Sequence, residues 1–143
     1  MRKKVITAFV LAVGIVSSIP TVVSAANTAN SKWSKYAVRG VWTNMIESQK
    51  KDTSSSVYFA YTSGGASTDL LETTIYASHT ANGAFERISY NGKLTPIYNI
   101  YKGQSKYMVN YVKETGRNYA RITARPSNTY TFGGSYQDRK SVV

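Results

Sequence analysis

Polar and apolar residues alternate with a period of two along much of this chain, and that pattern limits the folds open to it. Val57, Phe59 and Tyr61 share one face of a predicted strand over 56–62, and the alternation returns over 73–80. Beyond the N-terminal region, no apolar stripe appears at helical spacing. About seven short strands separated by turn residues predict an all-β fold, namely a small antiparallel β-sandwich or barrel.

The remaining predicted strands are 36–43, 85–90, 94–101, 107–112 and 119–125. Asn91-Gly92 lies between two of them and is the favoured pair for a type I′ hairpin turn. The last two strands flank a loop over 113–118 and predict a second hairpin, in which Ala120, Ile122 and Ala124 point inward.

Two further segments have local predictions of their own. Residues 47–55 are polar and predict a loop. Asp69, three residues before Glu72, is suited to capping a single helical turn.

The N-terminus predicts export. Arg2-Lys3-Lys4 precede an apolar run over 5–16, and Val23-Ser24-Ala25 supply the small residues of a cleavage site. The apolar run is shorter than the ~20 residues that span a bilayer, so we expect a signal peptide over 1–25, cleaved near Ala25, rather than a transmembrane anchor. A single secreted, extracellular β-rich domain over 26–143 would remain.

Cysteine is absent from the whole chain. The fold must therefore hold by burial and hydrogen bonding, without disulfides. Export without cysteine is typical of Gram-positive bacteria, and the C-terminus shows neither a sorting signal nor an apolar tail. We interpret the product as freely secreted.

Positive charge is concentrated in the C-terminal half. The chain carries a formal charge of +11, and residues 93–143 hold nine basic and two acidic side chains against six and five over 26–92. Such a field attracts polyanions, which outside a bacterium include teichoic acids, anionic lipid headgroups, extracellular DNA and acidic polysaccharides. The alternative is that the charge serves solubility alone.

Tyrosines and basic residues interleave in the same half. Tyrosine can pack half-buried across strands, or stack on ligands when exposed. The predicted binding set for an anionic ligand consists of Lys106, Lys113, Arg117, Arg121, Arg125, Tyr107, Tyr111 and Tyr119. Since the chain has no RNA-binding aromatic motif and no zinc spacing, a specific nucleic-acid partner is not expected.

Candidates for catalysis are few. His79 is the single histidine, no nucleophile elbow, zinc-binding pair or phosphate-binding loop occurs, and the seven acidic residues are scattered. We therefore predict a protein that is not an enzyme and needs no cofactor or metal. A secreted hydrolase is the remaining alternative, and it requires a cleft that gathers His79 with Asp69 or Glu72.

Three stretches carry a family resemblance. Residues 106–121 (KYMVNYVKETGRNYAR), with 51–58 (KDTSSSVY) and 134–138 (GSYQD), resemble small secreted Firmicute proteins of unknown function. That group implies a Gly-x-Trp-Ser-Pro-Asp-Ser ending, which Tyr136-Gln137-Asp138-Arg139 replaces here. The chain is also similar in architecture to lactococcin-like secreted bacteriocins.

The leading hypothesis is a secreted, non-enzymatic cationic β-protein that binds an anionic component of a bacterial envelope or matrix, such as a cell-wall polymer. A bacteriocin-like toxin acting on related bacteria is the alternative. The identity of the ligand, the order of the strands and the oligomeric state stay open.

Overall fold

The computed structural model describes residues 30–138. The predicted signal peptide over 1–25 and its cleavage site near Ala25 lie outside these residues. No helix long and apolar enough to cross a membrane occurs in the described part of the chain.

Ten strands form within this range. They are β1 (Ser31–Ala37), β2 (Thr43–Lys50), β3 (Val57–Ser63), β4 (Leu70–Ser78), β5 (Ser89–Tyr90), β6 (Lys93–Leu94), β7 (Tyr98–Tyr101), β8 (Gln104–Met108), β9 (Tyr119–Pro126) and β10 (Tyr130–Gln137). One four-stranded sheet has the order β1-β10-β3-β8, a second has the order β2-β9-β4-β7, and β5 and β6 form a separate hairpin. All pairings are antiparallel, which confirms the predicted all-β fold and its sandwich form.

The core lies between the inward faces of the two four-stranded sheets. Phe59 and Tyr61 of β3 and Ile122 of β9 have no exposed surface. The indole of Trp33 stacks on Phe59 with ring centroids 4.9 Å apart, and its Nε1 donates a hydrogen bond of 3.1 Å to the carbonyl of Ala60. Because β10 lies between β1 and β3, this side chain crosses the middle strand and ties three strands together.

The predicted strand over 36–43 is wrong. Chain direction changes there in a β-turn, in which the amide of Val41 donates to the carbonyl of Val38 at 3.0 Å and Gly40 has φ +74°. The turn carries the chain from β1 in one sheet to β2 in the other. Polar and apolar residues continue to alternate through the turn, although its residues do not pair with another strand. The sequence pattern therefore resembles a strand.

The predicted hairpin of 107–112 with 119–125 is also wrong. Strand β8 pairs with β3 in the first sheet, whereas β9 pairs with both β2 and β4 in the second. Both edges of β9 are therefore occupied, and residues 109–118 connect the sheets instead. The inward positions Ala120, Ile122 and Ala124 are fully buried, as predicted.

Three local predictions have different outcomes. The Asn91-Gly92 turn is confirmed, since both residues have positive φ (52° and 77°) between β5 and β6. The predicted strands 85–90 and 94–101 are wrong in length, because only Ser89–Tyr90 and Lys93–Leu94 pair with each other and 98–101 belongs to β7, which pairs with β4. The polar segment 47–55 is only partly a loop, because β2 continues to Lys50. The helical turn at Asp69 is wrong: the Asp69 carboxylate accepts the amide of Ala66 at 2.7 Å, and a strand begins at the next residue.

Candidate functional site

The first residue of β9 lies between the ends of β2 and β4. Tyr119 is opposite Lys50 on one side and Ser78 on the other, because β9 runs antiparallel to both neighbours. Two backbone hydrogen bonds extend this ladder past the strand ends, from Lys51 N to the Asn118 carbonyl (2.8 Å) and from Asn118 N to the Ser78 carbonyl (3.2 Å). The chain segments that meet here are thus held by the sheet itself.

These segments line a solvent-open cleft of about 550 Å³, which we call the basic cleft. Its lining residues come from the end of β2, the residues after β4, the connection before β9 and the first residue of β9. They are Lys50, Lys51, Asp52, His79, Thr80, Ala81, Lys113, Asn118 and Tyr119. Even without the buried Lys51, the two lysines Lys50 and Lys113 outnumber the single carboxylate of Asp52, so the lining is net positive.

Lys51 lies beneath the basic cleft with no exposed surface. Its ammonium donates to the carbonyl of Ser55 at 2.7 Å and to the carbonyl of Asp138. The side-chain amide of Asn110 donates to the same Ser55 carbonyl at 3.1 Å. These contacts hold the Lys51 side chain in place behind the cleft.

Lys50 and Lys113 lie closer to solvent. Lys50 is exposed, and Lys113 is half-buried with its ammonium 2.7 Å from the side-chain oxygen of Asn118. Neither lysine belongs to the ion pairs that Glu47, Glu72 and Glu86 form with basic side chains. Their charges are therefore available to a ligand.

The three arginines of the predicted binding set have acidic partners. Arg117 lies 3.1 Å from Glu86, and Arg121 lies 3.7 Å from Glu47. Arg125 contacts Glu72 directly opposite it on β4.

Two of these guanidinium groups also lie over aromatic rings. Arg121 is 4.0 Å from the centroid of Phe85, and Arg125 is 5.0 Å from that of Trp42. Their donors and charge are largely used within the fold, so these side chains support the sheet surface more than they offer charge to a ligand.

The other predicted residues lie on different parts of the fold. Lys106 and Tyr107 belong to β8 of the first sheet, where Tyr107 packs against Tyr58 with centroids 5.2 Å apart. Tyr111 packs against Tyr90 at 5.6 Å. Of the eight residues, only Lys113 and Tyr119 meet in the basic cleft. The predicted set is therefore not one continuous surface.

The acid and base that the hydrolase alternative requires are far apart along β4. His79 follows the last residue of this strand, whereas Asp69 precedes the first and Glu72 lies near the start. Asp69 is almost fully buried and accepts a hydrogen bond of 2.6 Å from Asn128. The structure thus does not gather His79 with either carboxylate.

Sequence reasoning missed Lys50 and Lys51 and gave His79 no binding role. A sequence signal for the lysines does exist, because a basic pair at the end of a strand lies close to the neighbouring strands that share that end of the sheet. Finding the cleft, however, requires knowing that the end of β2 adjoins the start of β9, and these are almost 70 residues apart.

Comparison with known proteins adds a family. A family model described as "Protein of unknown function (DUF2712)" matches residues 21–136. No curated protein and no solved structure matches the chain. The comparisons relate the chain to neither bacteriocins nor a bacterial phylum, so those parts of the resemblance stay predictions.

Proposed function

We propose that this chain, which belongs to the DUF2712 family, is a secreted protein that binds a phosphate- or carboxylate-bearing polymer of the bacterial envelope through the basic cleft. The observation that carries the proposal is the arrangement of Lys50 and Lys113 together at the cleft. The ammonium groups of Lys50 and Lys113 attract and hydrogen-bond an anion.

The shape of the cleft favours a polymer over a small cofactor. Small-molecule sites are concave and mostly apolar, and they enclose most of their ligand. This cleft is open and polar, and its charge comes from the exposed Lys50 and the half-buried Lys113. A chain of repeating anionic groups can lie across such a surface and use several weak contacts at once.

Long-range electrostatic attraction also favours an anionic polymer as the ligand. Residues 30–138 hold 13 basic and all seven acidic side chains, so the described domain is cationic even after its ion pairs are counted. A net positive field raises the local concentration of a polyanion near the protein, and added salt weakens it. We therefore expect binding that falls with ionic strength.

The test is retention of the purified protein on Gram-positive cell walls, with and without their teichoic acid, across a salt series. Lys50→Gln combined with Lys113→Gln should weaken retention about thirtyfold, since each of the two lost contacts to a charged group contributes roughly 1 kcal/mol at a partly exposed site. Lys93→Gln combined with Lys106→Gln removes the same charge from exposed positions outside the cleft lining and serves as the matched control.

The two double variants distinguish binding at the basic cleft from general attraction by the net charge of the protein. Equal losses in both would mean that overall charge, and not the cleft, holds the polymer. Retention that ignores salt and teichoic acid would refute the proposal. Growth inhibition of related strains by the purified protein would favour the toxin alternative, which the same cationic surface would also serve.

A further inference from the structure

The turn between β1 and β2 presents apolar side chains to solvent. Val38, Val41 and Trp42 are 44%, 51% and 37% exposed, and Tyr36 beside them is exposed as well. We call Val38, Val41 and Trp42 the apolar tip. Three neighbouring large apolar side chains on one exposed turn, with a tyrosine next to them, indicate contact with something other than water.

Three consecutive amides in this turn donate hydrogen bonds within the fold. The amides donate from Arg39 to the Thr129 hydroxyl (2.9 Å), from Gly40 to the Pro126 carbonyl (2.9 Å) and from Val41 to the Val38 carbonyl (3.0 Å), and the Thr43 hydroxyl donates to the Val41 carbonyl (3.1 Å). The groups paired in this way can leave water without the cost of unsatisfied polar atoms. Their pairing lowers the cost of bringing this irregular backbone to the edge of an apolar medium.

We propose that the apolar tip inserts into the interface of an anionic lipid bilayer. Tryptophan and tyrosine favour the membrane–water interface, and valine favours the hydrocarbon below it. Arg39 occupies the centre of the turn and is exposed, which places a positive charge at the level of anionic headgroups. The inference does not depend on the basic cleft, which lies at the other end of β9.

The small size of the apolar tip argues against a second copy of this chain as its partner. A stable interface between two copies needs about 800 Å² on each side, and three side chains on a single turn supply only a fraction of that area. A turn tip is also convex, so it cannot enclose a peptide or a sugar. A bilayer needs no complementary shape and accepts a small protrusion.

The test measures the depth of Trp42 in phosphatidylcholine vesicles with and without phosphatidylglycerol, using lipids brominated on their acyl chains as quenchers. The chain contains two tryptophans, and Trp33 is 7% exposed and stacked in the core. Trp42→Phe therefore gives the emission of Trp33 alone. The apolar run over 5–16 would by itself attach the full chain to vesicles, so binding of the protein to vesicles does not report on the tip. The measurement is therefore the quenching of Trp42.

We expect quenching of Trp42 on the vesicles that contain phosphatidylglycerol. Val41→Ser should shift the equilibrium between inserted and free tip about fourfold toward the free state, since the apolar surface of about half a valine side chain is lost. Leu94→Ser is the matched control, because Leu94 is also 51% exposed but lies on the β5–β6 hairpin. It should leave the quenching unchanged.

Three results would overturn the proposal. Absence of Trp42 quenching would show that the tip does not reach the acyl chains. Equal effects of Val41→Ser and Leu94→Ser would show that the contact is not specific to the tip. Equal quenching on neutral vesicles would remove the anionic requirement and with it the role of Arg39.

Discussion

Gly134 gives the sharpest test of how the first sheet is built. The register of β10 against β3 shifts between Gly133 and Gly134, and the Ala60 carbonyl accepts the Trp33 indole at this point. An ideal Cβ at Gly134 would overlap the carbonyl oxygen of Ala60, and it would lie 2.8 Å from its carbonyl carbon and 3.0 Å from Trp33 Nε1. Gly134→Ala therefore forces two backbone segments apart.

Comparison with the preceding glycine, Gly133, gives the expected loss of unfolding free energy in Gly134→Ala. At Gly133 the nearest atoms to an added Cβ are the Ser63 hydroxyl at 2.7 Å, which can rotate, and the Trp33 carbonyl at 3.1 Å. Replacing glycine by alanine in an unstrained strand stabilises by roughly 0.5–1 kcal/mol through the unfolded state. We expect Gly133→Ala to stay within about 1 kcal/mol of wild type, and Gly134→Ala to cost about 3 kcal/mol as an overpacking of backbone on backbone.

Urea unfolding followed by tryptophan fluorescence measures both variants. With a slope of about 1.5 kcal/mol per molar urea, a loss of 3 kcal/mol lowers the midpoint by about 2 M. The combination of Gly134→Ala with Trp33→Phe should not recover stability, because the contact with Ala60 remains. Equal midpoints for the two glycine variants would refute the assigned register, and recovery in the double variant would show that the indole is the main obstacle.

Three other effects can be measured by unfolding the protein with urea or heat. Burial, with Asp69 nearby, raises the pKa of Tyr61 to about 12, so the free energy of unfolding should fall by about 2 kcal/mol as pH rises from 10 to 12, and Tyr61→Phe should lack that fall. Gly92 has φ +77° and open space around it, so Gly92→Ala should cost about 1 kcal/mol from backbone strain alone, seen as a lower urea midpoint. Glu72→Gln breaks the partly exposed ion pair with Arg125 and should lower the free energy of unfolding by less than about 1 kcal/mol in thermal melts, whereas a larger loss would mean that the pair is structurally essential.

The faces of individual strands were predictable because burial acts on every second residue. Val57, Phe59 and Tyr61 on β3, and Ile122 on β9, are fully buried as the alternation requires. The partner of each strand was not predictable in this way. Alternation specifies which face is apolar, but it carries no information on which edge will be paired, so 107–112 and 119–125 resemble a hairpin although they lie in different sheets.

The candidate site was harder to predict for a related reason. Basic residues near one another in sequence suggested a binding surface, yet Arg121 and Arg125 meet Glu47 and Glu72 from neighbouring strands. Those carboxylates are more than 50 residues away in the chain. A cluster of basic residues in the sequence includes side chains that are paired with carboxylates in the fold. A ligand can use only the basic side chains that stay unpaired, and strand order decides which ones these are.

The basic cleft and the apolar tip lie near opposite ends of β9, and their separation determines whether they can act together. Eight residues of strand extend roughly 25 Å at about 3.3 Å per residue. The Debye length at physiological ionic strength is about 8 Å, so lipid charges at the tip are almost fully screened at the cleft. An envelope polymer bound in the cleft therefore neither competes with a bilayer at the tip nor is repelled by it. On these proposals the protein can bridge the membrane surface and an anionic polymer beyond it, with two weak contacts combined in one chain.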